Sequence, residues 1–205
     1  MSTNKFDITE DQRDCLQELM NIAYGSATAA ISEILDSFAT LNIPNIKIIK
    51  AEEIKVYLAE QIKVSHPQIV ATQLINGKLS GENVFVLDEQ SAINMTKVFN
   101  EEDEVNDDDV SDVILEITNI LSSAATSKLA QLLSTEVSFT SPSIQVIDNI
   151  DDFENDFLDD YDQVIIISTQ LKFNDFDIQG EMLILTKDES IAWMKNALDV
   201  VLEEY

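Results

Sequence analysis

Four residues that could act together occur twice in this chain at the same spacing. The first set is Asp14, Glu18, Asn21 and Pro44, and the second set is Asp112, Glu116, Asn119 and Pro142. In each set Glu follows Asp by four residues, Asn follows Glu by three, and Pro comes after 22 intervening residues. Because residues three apart share one face of a helix, each set predicts a carboxylate and an amide on one surface.

The Glu and Asn of each set have complementary chemistry. A carboxylate can accept hydrogen bonds or pair with a lysine, whereas an amide both donates and accepts and can therefore orient one water. Such a pair suits hydrolysis of an acyl phosphate, which depends mainly on positioning and charge stabilisation. The alternative is a solvated helix face on which Asn bonds to a neighbouring side chain. The duplication favours function, since core packing does not require the same polar pair twice. We expect Pro44 and Pro142 to be structural and to mark the entry to a strand.

The charge of the chain is strongly negative and uneven. The net charge is −27; residues 1–100 hold 13 acids and 8 bases, whereas residues 101–205 hold 26 acids and 4 bases. Nucleic acid and anionic membrane surfaces are therefore disfavoured as partners, because both require a basic face. Arg13 is the only arginine. A phosphate-bearing partner would have to bring most of the positive charge itself.

Several site classes are excluded by composition. The acidic runs 101–112 and 148–162 are expected to be solvated loops, because they lack the spacing and the central Gly of a calcium-binding loop. The chain has only four Gly, no glycine-rich phosphate loop and no paired His or Cys ligands. Kinase, dinucleotide-binding and zinc-hydrolase interpretations are therefore poor.

The single cysteine and the ends of the chain bear on its location. Cys15 has no partner for an internal disulfide, and we expect a buried or half-buried helix position for it rather than a nucleophile, since His66 is distant in sequence. No apolar run approaches the roughly 18 residues of a membrane span, and the first residues do not resemble a secretion signal. A cytoplasmic location is expected.

The repeat extends beyond the two motifs. Thr72-Gln73-Leu74 recurs as Thr169-Gln170-Leu171, and Gly81-Glu82 recurs as Gly180-Glu181. We therefore predict one domain over 1–205, built of a first repeat at 1–100 and a second at 101–205.

Both repeats predict the same order of elements. In the first we expect a helix from Ile8 to about Ser37 capped by Thr9, a strand at 46–51, a helix at 52–61, strands at 70–75 and 81–87 around a turn at Asn76-Gly77, and a helix at 88–99. In the second we expect a helix at 110–133, strands at 136–140 and 144–147, a hairpin of 163–173 and 177–185, and a helix at 188–202, with 149–160 in place of the short helix. This predicts an α+β fold, internally duplicated with pseudo-two-fold symmetry, a mainly antiparallel sheet and two long motif-bearing helices.

The motif resembles the signature of the CheC/CheX/FliY phosphatases of chemotaxis, which is an acid or Ser, then Glu, Asn and Pro at these spacings. It is complete twice and is most similar to the CheC type, which carries two sites in one chain of about this size. The resemblance implies a hydrolase that removes the phosphate from the phospho-aspartate of CheY, a response regulator of two-component signalling, and so terminates a chemotaxis signal.

The resemblance also implies residue roles and partners. Glu18 and Glu116 would contact a lysine of the regulator, Asn21 and Asn119 would place the attacking water, and Asp14 and Asp112 would support the site. Mg²⁺ would lie in the regulator's acidic pocket, with no cofactor bound by this chain. CheC-type proteins also bind CheD, a receptor deamidase. The alternative is a non-catalytic binding module or scaffold for CheD or the flagellar switch. Because the second motif follows a denser acidic run, we predict unequal sites, without predicting which is more active.

Overall fold

The computed structural model describes residues 8–61, 67–149, 152 and 162–203. These ranges contain five α-helices and a sheet of eight strands. The helices are α1 Glu10–Ile34, α2 Ile54–Gln61, α3 Glu89–Asn100, α4 Asp107–Leu132 and α5 Asp188–Glu203. The strands are β1 Thr40–Leu41, β2 Asn45–Lys50, β3 Gln68–Gly77, β4 Gly81–Asp88, β5 Val137–Phe139, β6 Ser143–Ile147, β7 Gln163–Phe173 and β8 Ile178–Thr186. The predicted α+β class is confirmed.

The sheet is built from two long hairpins flanked by short strands. The strand order is β1-β7-β8-β4-β3-β5, with β2 also paired to β7 and β6 also paired to β3. All described pairs are antiparallel, as predicted. Each edge therefore consists of two short strands in line. The residues between them are 42–44 on one edge and 140–142 on the other, and each interruption ends at a motif proline.

The helices cover the sheet unequally. Apolar side chains of α1, α3, α4 and α5 form the main core with alternate residues of the central strands. On the other face, Ile54, Tyr57 and Leu58 of α2 pack against a smaller apolar cluster. Successive side chains of a strand point to opposite faces of the sheet, so neighbouring residues of β3 or β7 face the main core and the smaller cluster in turn. Polar side chains that reach α4 must therefore lie at positions of the main-core face.

The two long helices begin with defined caps. At α1, the Thr9 side chain accepts from the Gln12 N–H while the Gln12 side chain accepts from the Thr9 N–H, so the predicted N-cap is confirmed as a capping box. At α4, Asn106 accepts from the N–H groups of Asp108 and Asp109. Residues 107–112 of the acidic run are thus helical rather than a loop. The helix dipole favours carboxylates in the first turn.

The predicted turn at Asn76-Gly77 was wrong. Strand β3 continues through Gly77, and both residues pair with β5. Gly77 has a φ of +134°, and a Cβ there would lie 2.9 Å from the Glu136 carbonyl oxygen. Glycine at position 77 therefore allows β5 to pack close to β3, and the chain turns only after this residue.

One strand was missed and some predicted segments lie outside the described residues. Strand β1 was not predicted, because an alternation of apolar and polar residues cannot be recognised over two residues. His66 and all but 149 and 152 of the 149–160 segment lie outside the described residues, as does most of the acidic run 148–162. Among the helices described, none is both long and apolar enough to cross a membrane.

Candidate functional site

The second motif lines one open cleft of about 560 Å³. Helix α4 contributes Asp112, Glu116 and Asn119 to it, all exposed, and the connection between β5 and β6 contributes Pro142. The remaining lining residues are Leu115, Phe139, Thr140 and Ser141. The structure therefore brings all four members of this motif together, with the carboxylate and the amide open to a partner.

The Asn119 side chain accepts a hydrogen bond from Gln73, a buried residue of β3. The Gln73 side chain is only 1% exposed; its Nε2 donates to Asn119 Oδ1 at 2.8 Å and to the Thr140 backbone oxygen at 2.9 Å. A backbone carbonyl can only accept, so the Gln73 atom facing it must be the donor Nε2. The Asn119 atom facing the same Nε2 must then be its oxygen. The amide nitrogen of Asn119 is consequently left for the cleft.

Thr140 fastens the cleft wall to the sheet. Its N–H donates to the Leu74 oxygen at 3.2 Å, and the Leu74 N–H donates to Thr140 Oγ1 at 3.2 Å. Its carbonyl accepts from Gln73. With both backbone groups and the side chain bonded to β3, the residue two before Pro142 is fixed relative to α4.

The first motif has the same residues in different surroundings. Asp14, Glu18 and Asn21 are exposed on α1, and Pro44 is buried directly before β2. Here the Gln17 amide donates to the Pro44 oxygen at 2.8 Å.

The equivalents of Gln17 and Pro44 in the second motif, Leu115 and Pro142, line the open cleft instead. Arg13 is also engaged, since Nη1 donates to the Ile46 oxygen at 2.7 Å. In the first motif α1 is therefore hydrogen-bonded to the loop that carries the proline, whereas the corresponding residues of the second motif line an open cleft.

The Thr-Gln-Leu repeat in the sequence is not a structural equivalence. Gly81 lies opposite Ile75 in one hairpin, and Gly180 lies opposite Leu171 in the other. The counterpart of Gln73, two residues earlier, is therefore Thr169 rather than Gln170.

The hydrogen bonds support this register. Thr169 Oγ1 donates to the Asn42 oxygen at 2.7 Å, as Gln73 does to Thr140, and both acceptors lie two residues before a motif proline. A shift of one residue moves a side chain to the other face. Gln170 accordingly lies on the opposite face, where its Nε2 is 3.4 Å from Glu181 Oε1. No described residue hydrogen-bonds the Asn21 side chain.

Cys15, beside the first motif, and Glu181, on the opposite face of the sheet, have shifted pKa values. Burial, with a further contribution from the charge of Glu18, raises the pKa of the Cys15 thiol, which disfavours the thiolate and agrees with a structural role. Burial raises the pKa of Glu181 to about 7, and the nearby Lys172 opposes that shift. Within the described ranges, no group of three or more His, Cys, Asp or Glu side chains could hold a metal ion.

Comparison with protein families gives one matching model. Residues 69–151 match the family described as "Chemotaxis phosphatase CheX". This span includes Gln73 and the whole second motif, whereas the first motif lies outside it. A curated relative, the flagellar motor switch phosphatase FliY of Bacillus subtilis, is 22% identical over 172 residues, covering 81% of this chain and 44% of the relative. The chain therefore spans less than half of that relative's length.

Solved structures show the fold class. FliY of Thermotoga maritima aligns with a TM-score of 0.76 at 20% identity, covering 94% of this chain and 98% of that one. The FliM middle domain of H. pylori aligns with a TM-score of 0.62 at 13% identity, covering 93% and 99%. The chain thus has the fold of the FliY and FliM structures, and its sequence is similar to proteins named as chemotaxis or flagellar-switch phosphatases. The narrower CheC type stays a prediction.

The contact of Gln73 with Asn119 was not predicted from the sequence. The signal was present in β3, where Ile69, Ala71 and Ile75 alternate on the main-core face and Gln73 occupies the same face. A glutamine at an apolar position of a buried strand requires a polar partner. Here that partner is Asn119.

Proposed function

We propose that this protein hydrolyses the phospho-aspartate of a CheY-type response regulator. The observation that carries the proposal is the cleft of the second motif, where Glu116 and Asn119 are exposed beside the loop at Pro142. The match of residues 69–151 to a chemotaxis phosphatase family supports it.

In the proposed reaction a water attacks the phosphorus in line with the bond to the aspartyl oxygen. That bond breaks, the aspartate leaves as a carboxylate, and phosphate is released with the proton of the water. Asn119 Oδ1 keeps one lone pair that can accept from the water, and Nδ2 can donate to the water or to a phosphoryl oxygen. Holding the water in this position converts an encounter with solvent into an oriented attack.

The remaining motif residues act in docking. Glu116 pairs with a lysine of the regulator, and Asp112, one turn earlier on the same exposed face, supports that contact. Mg²⁺ would be held by the regulator's acidic pocket, where it would supply positive charge to the phosphoryl group. This division suits a chain with 39 acids and 12 bases, which has few cations of its own to offer. Asp14, Glu18 and Asn21 form the first site, which is quasi-equivalent to this second one.

The test is phosphate release from a phosphorylated CheY-type regulator in Mg²⁺, with and without this protein. We expect Asn119→Ala and Asn21→Ala each to leave partial activity and the double variant to lose it. Loss of an oriented hydrogen-bonding group typically costs about 10²–10³ in kcat. A double variant as active as the unmodified protein would contradict the proposal. Cys15→Ala is the matched control on α1, and we expect full activity from it.

A second candidate is a binding module of the flagellar switch or a scaffold for CheD. The likeness to the FliM middle domain favours the switch version. It predicts that Glu18→Ala and Glu116→Ala weaken regulator binding while the lifetime of its phosphate stays the same with or without this protein. Measuring binding and phosphate lifetime on the same samples separates the two candidates.

A further inference from the structure

We propose that Gln73 is a positioning residue of the second site, which fixes the orientation of the Asn119 amide, and that the first site lacks such a residue. The inference rests on the proposed phosphatase function and adds to it a reason for unequal sites. It is carried by the two hydrogen bonds from Gln73 Nε2, to Asn119 Oδ1 and to the Thr140 oxygen.

The orientation of the Asn119 amide matters because its oxygen only accepts hydrogen bonds and its nitrogen only donates them. Rotation of the Asn119 side chain by half a turn would exchange its acceptor and its donor in the cleft. In the rotated form the Asn119 amide nitrogen would face Gln73 Nε2, placing two donors together without an acceptor. The Thr140 carbonyl prevents Gln73 from turning over in response. The wrong orientation of Asn119 is therefore disfavoured before any substrate binds.

Gln73 lies in a buried polar cluster beneath α4. Its cross-strand neighbour is Asn83, whose Oδ1 accepts from Thr126 Oγ1 at 3.0 Å. Gln73 Oε1, Asn83 Nδ2 and Thr118 Oγ1 are all buried and have no partner among the described residues. Buried polar atoms without partners are costly. A cluster that retains them under the motif helix is therefore better explained by the site above it than by stability.

Around the first site, apolar or shorter side chains from β7, β8 and α1 stand in place of this cluster. Thr169 stands where Gln73 does, and Met182 and Met20 stand where Asn83 and Thr118 do. Thr169 uses its hydroxyl on Asn42. Asn21 therefore has no buried donor to select between its two orientations. From this difference the second site is the more active of the two.

The test replaces Gln73 with its own counterpart. We expect Gln73→Thr, measured in the Asn21→Ala background, to lower kcat about tenfold, which corresponds to about 1.4 kcal/mol of transition-state stabilisation. KM for the phosphorylated regulator should stay unchanged, because Glu116 is untouched. The control is Gln170→Thr, the same change at the Gln that faces the opposite side of the sheet, and it should leave both constants unchanged.

A second measurement keeps the inference testable if Gln73 variants fold poorly. In the unmodified protein, NMR should show the Gln73 side-chain N–H protons exchanging with solvent at least tenfold more slowly than those of Gln170. Equal exchange would overturn the inference, as would an unchanged kcat in a folded Gln73→Thr variant. If, in the Asn21→Ala background, Asn119→Ala abolishes activity while Gln73→Thr leaves kcat unchanged, the inference fails and the proposed function stands. If the Asn21→Ala/Asn119→Ala variant keeps full activity, the proposed function itself fails.

Discussion

Glu181 makes a contribution to the free energy of unfolding that decreases as the pH rises. The residue lies half-buried on β8, opposite Gln170 and Val86, and burial raises its pKa from the ordinary value of 4.5 to about 7. Between these two values the folded state binds more protons than the unfolded chain. The free energy of unfolding therefore decreases with pH through this window, which is opposite to the usual effect of a carboxylate.

The size of the effect follows from the shift. A displacement from 4.5 to about 7 corresponds to about 3 kcal/mol for a fully buried group. Glu181 is only partly buried, so screening by solvent reduces the expected loss of stability to about 1 to 2 kcal/mol. Glu181→Gln keeps the shape and the acceptor for Gln170 but cannot ionise, and should remove this loss.

The assay is urea unfolding followed by circular dichroism at about pH 5 and about pH 8. The difference in unfolding free energy between the two pH values should be smaller in Glu181→Gln than in the unmodified protein by the stated amount. The control is Glu189→Gln, which replaces an exposed acid on α5 and should show the same difference in unfolding free energy between the two pH values as the unmodified protein. If Glu181→Gln also shows the same difference as the unmodified protein, the reasoning is refuted.

Four further predictions concern stability and reactivity. Gly25→Ala should raise the free energy of unfolding by about 0.5–1 kcal/mol, because Gly25 is exposed within α1 and a Cβ there meets nothing within 4 Å. Gly81→Ala should lower the free energy of unfolding, because a Cβ at position 81 would collide with the Leu185 carbonyl. Thermal unfolding of the Gly25→Ala and Gly81→Ala variants tests both predictions. Thr9→Ala should cost about 1 kcal/mol through loss of the capping box at α1, measured by urea unfolding. Cys15 should react with an alkylating reagent more slowly in the folded protein than in urea, and equal rates would contradict the raised pKa.

Local patterns predicted the order of the helices and strands except for the two-residue strand β1. The helix start at Thr9 follows from capping, and the paired strands β3–β4 and β7–β8 follow from apolar patterning, both of which act over a few positions; the turn residues Asn76-Gly77, by contrast, lie within β3. The helix predicted at 110–133 instead begins at Asp107, because the cap at Asn106 lies inside the acidic run. Ends of elements depend on such single hydrogen bonds.

Pairing between strands could not be predicted in the same way. Thr-Gln-Leu occurs in both halves, and identity alone suggested that Gln73 and Gln170 correspond. The register of the hairpins, fixed by the opposition of Gly81 to Ile75 and of Gly180 to Leu171, places them on opposite faces. Register is set by tertiary packing, and a one-residue difference decides whether a glutamine reaches the motif helix. The contact between Gln73 and Asn119 could therefore be recognised only in the folded chain.

The interrupted edges of the sheet have a consequence for how the protein behaves in concentrated solution. A long unpaired edge strand is a template on which another chain can add a strand and begin a fibre. Here each edge is divided by three residues that end at Pro44 or Pro142, and proline offers no N–H to an incoming strand. The same loops lie beside α1 and α4, where we propose the two sites. Substitution of a motif proline would therefore expose the protein to aggregation as well as alter the proposed site.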